Sequence, residues 1–295
     1  FISIKAEIVR DGIVETIALY YSKQEKRLYH NGTTYPSFTN VLGLLPSVLY
    51  APTDRGLITG APTDKRKFLN IHLSQYDPLY VHHLIRYRKV LQQRNALLKK
   101  KSLHSIECWE QELIVSSTYL SMMRKAMLER LKKPLQYYLQ KLAPHSLDIF
   151  FSASLPLGEE VYPTRQNGLK KLQALRQKEL YLGFSLAGAH RDDFSITIDG
   201  LCAKNFSSEG QKRCVAAAIR FAEWDHLSHQ IGDSPVICID DFGVHLDGNR
   251  KKSLQEILQR FCQVFITSAE EKELFGSLPE TAVFYVESGS VSKIL

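Results

Sequence analysis

Ser208-Glu209-Gly210-Gln211-Lys212-Arg213 opens a helix and Val236-Ile237-Cys238-Ile239-Asp240-Asp241 ends a strand, and these two stretches decide the fold. Ser208 is placed to cap a helix whose apolar face is Val215, Ala216, Ile219 and Ala222. Gly210 lets an anion approach the backbone. A helix start also offers free N–H groups and the positive dipole end, a combination suited to phosphate. The second stretch is a continuous apolar run, the pattern of a strand covered on both faces. Its two carboxylates stand at the carboxyl end, where open α/β sheets place ligands. Mg²⁺ takes oxygen ligands and keeps several waters, so Asp240 suits the metal, while Asp241, pointing elsewhere, faces an incoming water. Taken singly, each stretch has a plainer reading: an ordinary helix start, and an acid pair capping a turn. In this order and spacing they describe much of an ATPase.

Working outward, residues from 181 alternate between strand and helix. Strands are expected at Phe194–Ile198, Val236–Ile239, Gln263–Thr267, Ala282–Val286 and Val291–Leu295, and helices at Gly210–His229 and Asn249–Phe261. Such alternation predicts a largely parallel sheet. Residues 1–35 read as β-rich, with Ile2–Val9 and Val14–Tyr21 flanking the turn signal Asp11-Gly12, then a short run at Arg27–His30. Residues 36–67, with Pro36, Pro46, Pro52 and Pro62, read as loop. Helical spacing starts at about 66 and stops at Lys99-Lys100-Lys101. It resumes from 106 to 142, broken or kinked at Pro134, and returns at Gly168–Leu182, with a strand-like Leu147–Ser152 between. The chain thus divides into a β-rich part at 1–76, a helical arm at 77–180 and an α/β part at 181–295.

The 295 residues are 44% hydrophobic, without the long apolar run that a membrane span needs. No signal peptide is visible, and the start at Phe1, already in a strand pattern, suggests a piece of a longer protein. The five cysteines, Cys108, Cys202, Cys214, Cys238 and Cys262, have no metal-ligand spacing and read as reduced thiols of a cytoplasmic protein. The net charge of +7 is uneven: 77–180 holds 18 Lys and Arg against 9 Asp and Glu, the rest 20 against 22. A whole basic segment favours a polyanion partner over a merely solvated surface. A phosphate loop, G-x-x-x-x-G-K-[ST], is not found. Gly183-Phe184-Ser185-Leu186-Ala187-Gly188-Ala189-His190 has the glycine spacing but neither the lysine nor the hydroxyl residue.

Ala187-Gly188-Ala189-His190-Arg191-Asp192-Asp193 is a G-x-H-R-D-D element, followed by S-x-G-Q-K-R and the strand ending in Asp240-Asp241. This combination resembles the RecF family of bacterial DNA repair and recombination proteins. Pro62–Leu69 looks like that family's P-x-x-x-R-x-F-L element, Tyr87–Asn95 like its Y-x-x-x-L-x-x-R-N helix, and Gln263–Thr267 like its late strand. The resemblance covers essentially the whole chain. It implies an ABC-type ATPase head, related to the heads of Rad50 and SMC proteins, with an inserted helical arm. It implies ATP and Mg²⁺ as cofactors, an ATP-dependent homodimer, binding to single- and double-stranded DNA at gap junctions, and action with RecO and RecR in loading RecA.

Carried over by position, Asp240 is the Walker B carboxylate for Mg²⁺ and Asp241 the acid that polarises water. Ser208, Gly210 and Gln211 contact the γ-phosphate of a nucleotide held by a partner subunit. Phe242–Asp247 corresponds to the D-loop at the dimer interface, with Val244, His245 and Asp247 as interface residues; Val244 and His245 depart from the family's usual serine and acid. The family's phosphate loop lies upstream of a segment like 1–35, so this chain is expected to lack that portion and to bind ATP weakly or not at all alone. Lys99, Lys100, Lys101, Lys132 and Lys133 are candidate DNA-binding residues. His190 and Arg191 are expected in an interface or a DNA-coupled loop. Trp109, Trp224, Tyr137 and Tyr138 read more readily as core than as base-stacking groups, and His82-His83 as surface. Two rival functions stand: a non-enzymatic DNA-binding scaffold with a degenerate ATPase core, and a structural head of the SMC type, against which no sustained heptad pattern is found.

Overall fold

A computed structural model describes residues 1–10, 12–241, 248–268 and 281–293. In chain order the elements begin with β1 (Ile2–Arg10), β2 (Ile13–Tyr21), β3 (Lys26–His30), β4 (Thr33–Tyr35), β5 (Ser47–Tyr50) and α1 (Gly56–Thr59). The helices α2 (Pro62–Ser74), α3 (Pro78–Lys99) and α4 (Ile106–Leu142) follow, then β6 (Leu147–Ser152) and α5 (Val161–Leu182). Next come β7 (Asp193–Ile198), β8 (Leu201–Cys202), α6 (Ala203–Phe206), α7 (Glu209–Ile231), β9 (Val236–Asp240), α8 (Gly248–Leu258), β10 (Val264–Thr267), β11 (Phe284–Glu287) and β12 (Ser290–Lys293).

Strands β1 to β4 form an antiparallel meander whose register, Ile4↔Leu19 and Leu19↔Leu28, gathers the alternating apolar residues on one face. Of the expected turn signal, Asp11 lies outside the described residues and Gly12 takes the left-handed conformation (φ 77°). A second sheet, in the order β10-β9-β5, is parallel, while β6-β7-β8 and β11-β12 are antiparallel. The expected largely parallel sheet is therefore one small parallel sheet beside antiparallel ones. Its strand β5 falls in the stretch read as loop. A strand of four residues, set between Pro46 and Pro52, is too short to show a period.

Helix α2 starts at Pro62 rather than about 66, and α5 at Val161 rather than 168. Both shifts have one cause: Pro62 and Pro163 sit in a first turn, where the missing N–H costs nothing and the fixed φ suits the helix. Pro134 does not break α4, which runs continuously for 37 residues. Its first half packs with α3 and α5. Its second half packs on α7, where Tyr138 meets Phe221 (ring centroids 5.6 Å) and donates to Asp225 (2.9 Å). Gly168 lets α5 approach α4, since a Cβ there would stand 2.3 Å from Ile114 Cδ1. Among the described residues no helix is long and apolar enough to cross a membrane.

Charge is buried where α3, α4 and α5 meet. Arg94, 0% exposed, donates to Glu110 (2.9 Å), Glu179 (2.6 Å) and the Ser185 hydroxyl (2.7 Å), and Arg176 pairs with Glu110 from the other side (2.6 Å). Removing one member of such a cluster strands a buried charge. Arg94→Met leaves Glu179 without its cation and is expected to lower stability by about 3–5 kcal/mol. Urea unfolding followed by circular dichroism measures this.

Candidate functional site

Asp240 ends β9 in register with Thr267, the last residue of β10. Alternation along β9 puts the buried Ile237 and Ile239 on one face and Cys238 and Asp240 on the other. The first face, continued by Val48 and Tyr50, is covered by α7; burial raises the Tyr50 hydroxyl to about 12, beside Asp54 and the α7 residues Arg213 and Cys214. The second face carries Leu49 and Phe265, 55% and 56% exposed. Among the described residues the first of the two expected covers is present, supplied by α7. The run is continuous because the second face is apolar too.

Thr267 Oγ1 donates to Asp240 Oδ1 at 2.5 Å. Asp241 then leaves the strand in the left-handed conformation (φ 51°), while its N–H donates to the Thr267 carbonyl at 3.0 Å. Both carboxylates are exposed. Thr267, the end of the late strand Gln263–Thr267, joins the candidate site beside Asp240. Its signal is a hydroxyl residue ending the late strand, level with the first acid. Val244, His245 and Asp247 lie outside the described residues.

Ser208 caps α7 as expected, and more fully than expected. Its hydroxyl accepts from Gln211 N–H (3.2 Å) and its N–H donates to Gln211 Oε1 (2.8 Å), a reciprocal capping box. The Gln211 amide nitrogen lies 3.0 Å from His145 Nε2, and His145 Nδ1 lies 2.7 Å from Asp199. Gly210 is open: the nearest atom to a Cβ built there is Ser208 Oγ at 4.0 Å. Glu209 pairs with Arg55 and Lys212. Arg220 of α7 clamps Asp54, just beyond β5, through two bonds of 2.9 and 2.6 Å. His145, Asp199, Asp54 and Arg220 are positioning residues that no local pattern marks. Asp240 therefore lies on the face of the parallel sheet away from α7, the helix that Ser208–Gln211 open.

The G-x-H-R-D-D segment follows a helix, not a strand, and Gly183 ends α5 in the left-handed conformation (φ 78°), so its glycines do not form a phosphate loop. The segment is anchored inward. Asp192, 0% exposed, pairs with Arg124 (2.9 Å) and accepts from Ser121 (2.6 Å) and Ser154 N–H (2.9 Å). His190 Nδ1 lies 2.6 Å from the Tyr87 hydroxyl, which accepts from His190 N–H, and Nε2 lies 3.1 Å from the Ser185 carbonyl. A neutral ring carrying its proton on Nε2 satisfies each of these bonds. Gly188 (φ 133°) is required, since a Cβ there would meet the Tyr87 hydroxyl at 2.3 Å. These bonds make His190 an internal latch between α3 and the segment ahead of β7. Arg191 stays exposed, over the Phe184 ring at 5.6 Å.

Lys99, Lys100, Lys101 and Lys133 are exposed, whereas Lys132 is paired with Glu129 (3.0 Å) and Asp148 (3.5 Å). Trp224 and Tyr138 are core and Trp109 is half-buried, but Tyr137 is 41% exposed. His82 is exposed, while His83 stacks on Tyr119 (4.5 Å). Of the cysteines only Cys214 is buried; Cys108, Cys202 and Cys262 are exposed.

No family model matches the chain. A protein of Protochlamydia amoebophila described as DNA replication and repair protein RecF is 38% identical over 275 residues, covering 92% of this chain and 76% of that protein. The protein of the same description from Chlamydia caviae is 33% identical over 288 residues, covering 96% and 77%. The chain belongs to the RecF family. Solved structures agree: the recombination mediator protein RecF-ATP of the RecFOR pathway superimposes with a TM-score of 0.86 at 28% identity, over 96% of this chain and 76% of that one. A second RecF structure of that pathway, RecF-ATPrS, gives 0.88 at 27%, over 99% and 80%. The Smc head domain of Pyrococcus furiosus, at 14% identity and a TM-score of 0.51 over 97% of this chain and 72% of that one, shares the fold. The fold is thus that of an ABC-type ATPase head.

Burial pushes His190 down to about 4, opposed by its bond to the Ser185 carbonyl, and burial beside His72 pushes His226 down to about 3. Both are neutral in the fold, and the unfolded chain takes up their protons near 6.5. Their stability is complete above that pH and is lost as pH falls through 6.5 toward 4. Urea midpoints are expected to fall between pH 7 and pH 5, and His190→Gln to reduce that slope.

Proposed function

We propose that this chain is the ATP-regulated, DNA-binding head of a protein of recombinational repair, acting at junctions of single- and double-stranded DNA with RecR- and RecO-type mediators. One observation carries the reading: Asp240 lies on the face of the sheet away from α7, the helix that Ser208–Gln211 open. A nucleotide at Asp240-Asp241 uses the strand ends. Ser208–Gln211, at the start of α7 on the other face, is then free to meet a nucleotide held by a second copy, and an ATP-dependent homodimer completes two sites. The RecF-ATP likeness supports ATP as the ligand.

The donors fit Mg²⁺. Asp240 is an exposed carboxylate with the Thr267 hydroxyl beside it, both hard oxygen groups. Among the described residues no group of three or more His, Cys, Asp and Glu is gathered for a metal, so Asp240 and Thr267 would hold the cation only together with oxygens from the nucleotide and water. Bound there, Mg²⁺ supplies charge neutralisation on the phosphates. Asp241 orients the attacking water. The open N–H groups at Gly210 and the start of α7 hold developing negative charge, with Gln211 fixed by Ser208 and His145. ATP acts chiefly as a switch that favours the paired state. The basic helices α3 to α5 serve as an arm against DNA phosphates.

Two measurements test this. In the complete protein, Asp241→Asn is expected to lower ATP turnover by roughly a hundredfold or more while ATP binding persists. Turnover unaffected by that change would remove Asp241 from the mechanism and favour a scaffold. DNA affinity should fall steeply with salt. Reversing Lys99, Lys100 and Lys101 to glutamate should flatten the log–log slope by about one for each phosphate that is no longer neutralised.

A further inference from the structure

We infer that the groove between α3 and α4 around Trp109 is a stacking site for an unpaired base of single-stranded DNA, an inference that rests on the DNA-binding reading above. The two antiparallel helices enclose about 470 Å³, lined by Arg86, Lys89, Gln92 and Gln93 from α3 and Trp109 and Glu112 from α4. Small-ligand sites are commonly roughly 300–1,000 Å³.

Three features select a nucleotide. Trp109 is half-buried: its body packs against the core and its remaining surface lines the groove. An aromatic surface in a cationic groove stacks on any base, because every base has a π face. Lys89, Gln92 and Gln93 are exposed and have no hydrogen-bond or ion-pair partner among the described residues. They offer a cation for phosphate and amides for a base edge. Glu112, the lone carboxylate of the lining, is neutralised by Arg86. The groove also leads to charge. Lys99, Lys100 and Lys101, all exposed, follow Gln93 along α3 after about 9 Å, at a rise of 1.5 Å per residue. A strand whose base enters the groove finds cations for its neighbouring phosphates. Duplex DNA offers no unstacked base, so the site selects single strands.

The chain has two tryptophans, which gives a direct readout. Trp224 is 6% exposed, with Nε1 donating to the Pro235 carbonyl (2.7 Å), so Trp109 is the one in reach of a ligand. In a Trp224→Phe background, oligo(dT) binding is followed both by the anisotropy of dye-labelled DNA and by Trp109 emission. Quenching should track the anisotropy. Trp109→Leu should weaken oligo(dT) binding roughly fivefold or more, with Trp109→Phe restoring most of it and duplex affinity hardly changed. Lys89→Glu, at an exposed position that leaves the fold intact, should weaken oligo(dT) binding in the same sense. Binding by anisotropy with unchanged emission, or variants that bind oligo(dT) like the parent, would overturn the stacking site and leave the DNA-binding reading standing. No anisotropy change with any DNA would overturn both.

Discussion

The Arg124 guanidinium holds this molecule together. It is 2% exposed and donates to the Tyr80 hydroxyl (3.0 Å), the Ala189 carbonyl (2.6 Å), Asp192 (2.9 Å) and Asn70 Oδ1 (3.0 Å). One side chain thus joins α2, α3, α4 and the segment ahead of β7. A buried guanidinium is tolerable only when its donors and its charge are both answered. Asp192 supplies the charge and in turn fixes Ser121 and Ser154. The pattern of the segment becomes intelligible from these contacts: the Ala189 carbonyl and Asp192 answer Arg124, while Gly188 and His190 close on Tyr87.

The same economy governs the parallel sheet. Its covered face is bound to α7 by apolar packing and by the Asp54–Arg220 clamp, so the start of α7 is fixed relative to the strand ends. Arg220 is held charged by Glu223 and Asp54 despite its burial, and it also lies over the Phe68 ring at 5.2 Å. The face away from α7 bears Asp240 and Thr267.

Much of this was legible in the chain itself. The Ser208 cap, the strand ending at Asp240 and the long helix from 106 to 142 follow from capping chemistry, an apolar run with a carboxylate end, and helical spacing. What escaped was non-local. Strand β5 is visible only through its partners, since Val48 and Tyr50 mean little without β9 beside them. Proline at a first turn reads as punctuation until the helix is seen to begin there. His145, Asp199 and Arg220 act across 54 to 166 positions of sequence, and no window can pair them.

Helix α4 has a mechanical consequence. At 37 residues it is about 55 Å long and spans from the Trp109 end of the hairpin to Tyr138 against α7. It is pinned at three stations: through Glu110 to Arg94 and Arg176 near its start, through Arg124 to α2, α3 and Asp192 midway, and through Tyr138 to α7 near its end. A rod held at three stations moves as one body, so a shift of α7 would carry with it the far end of the hairpin, where Lys99, Lys100 and Lys101 stand.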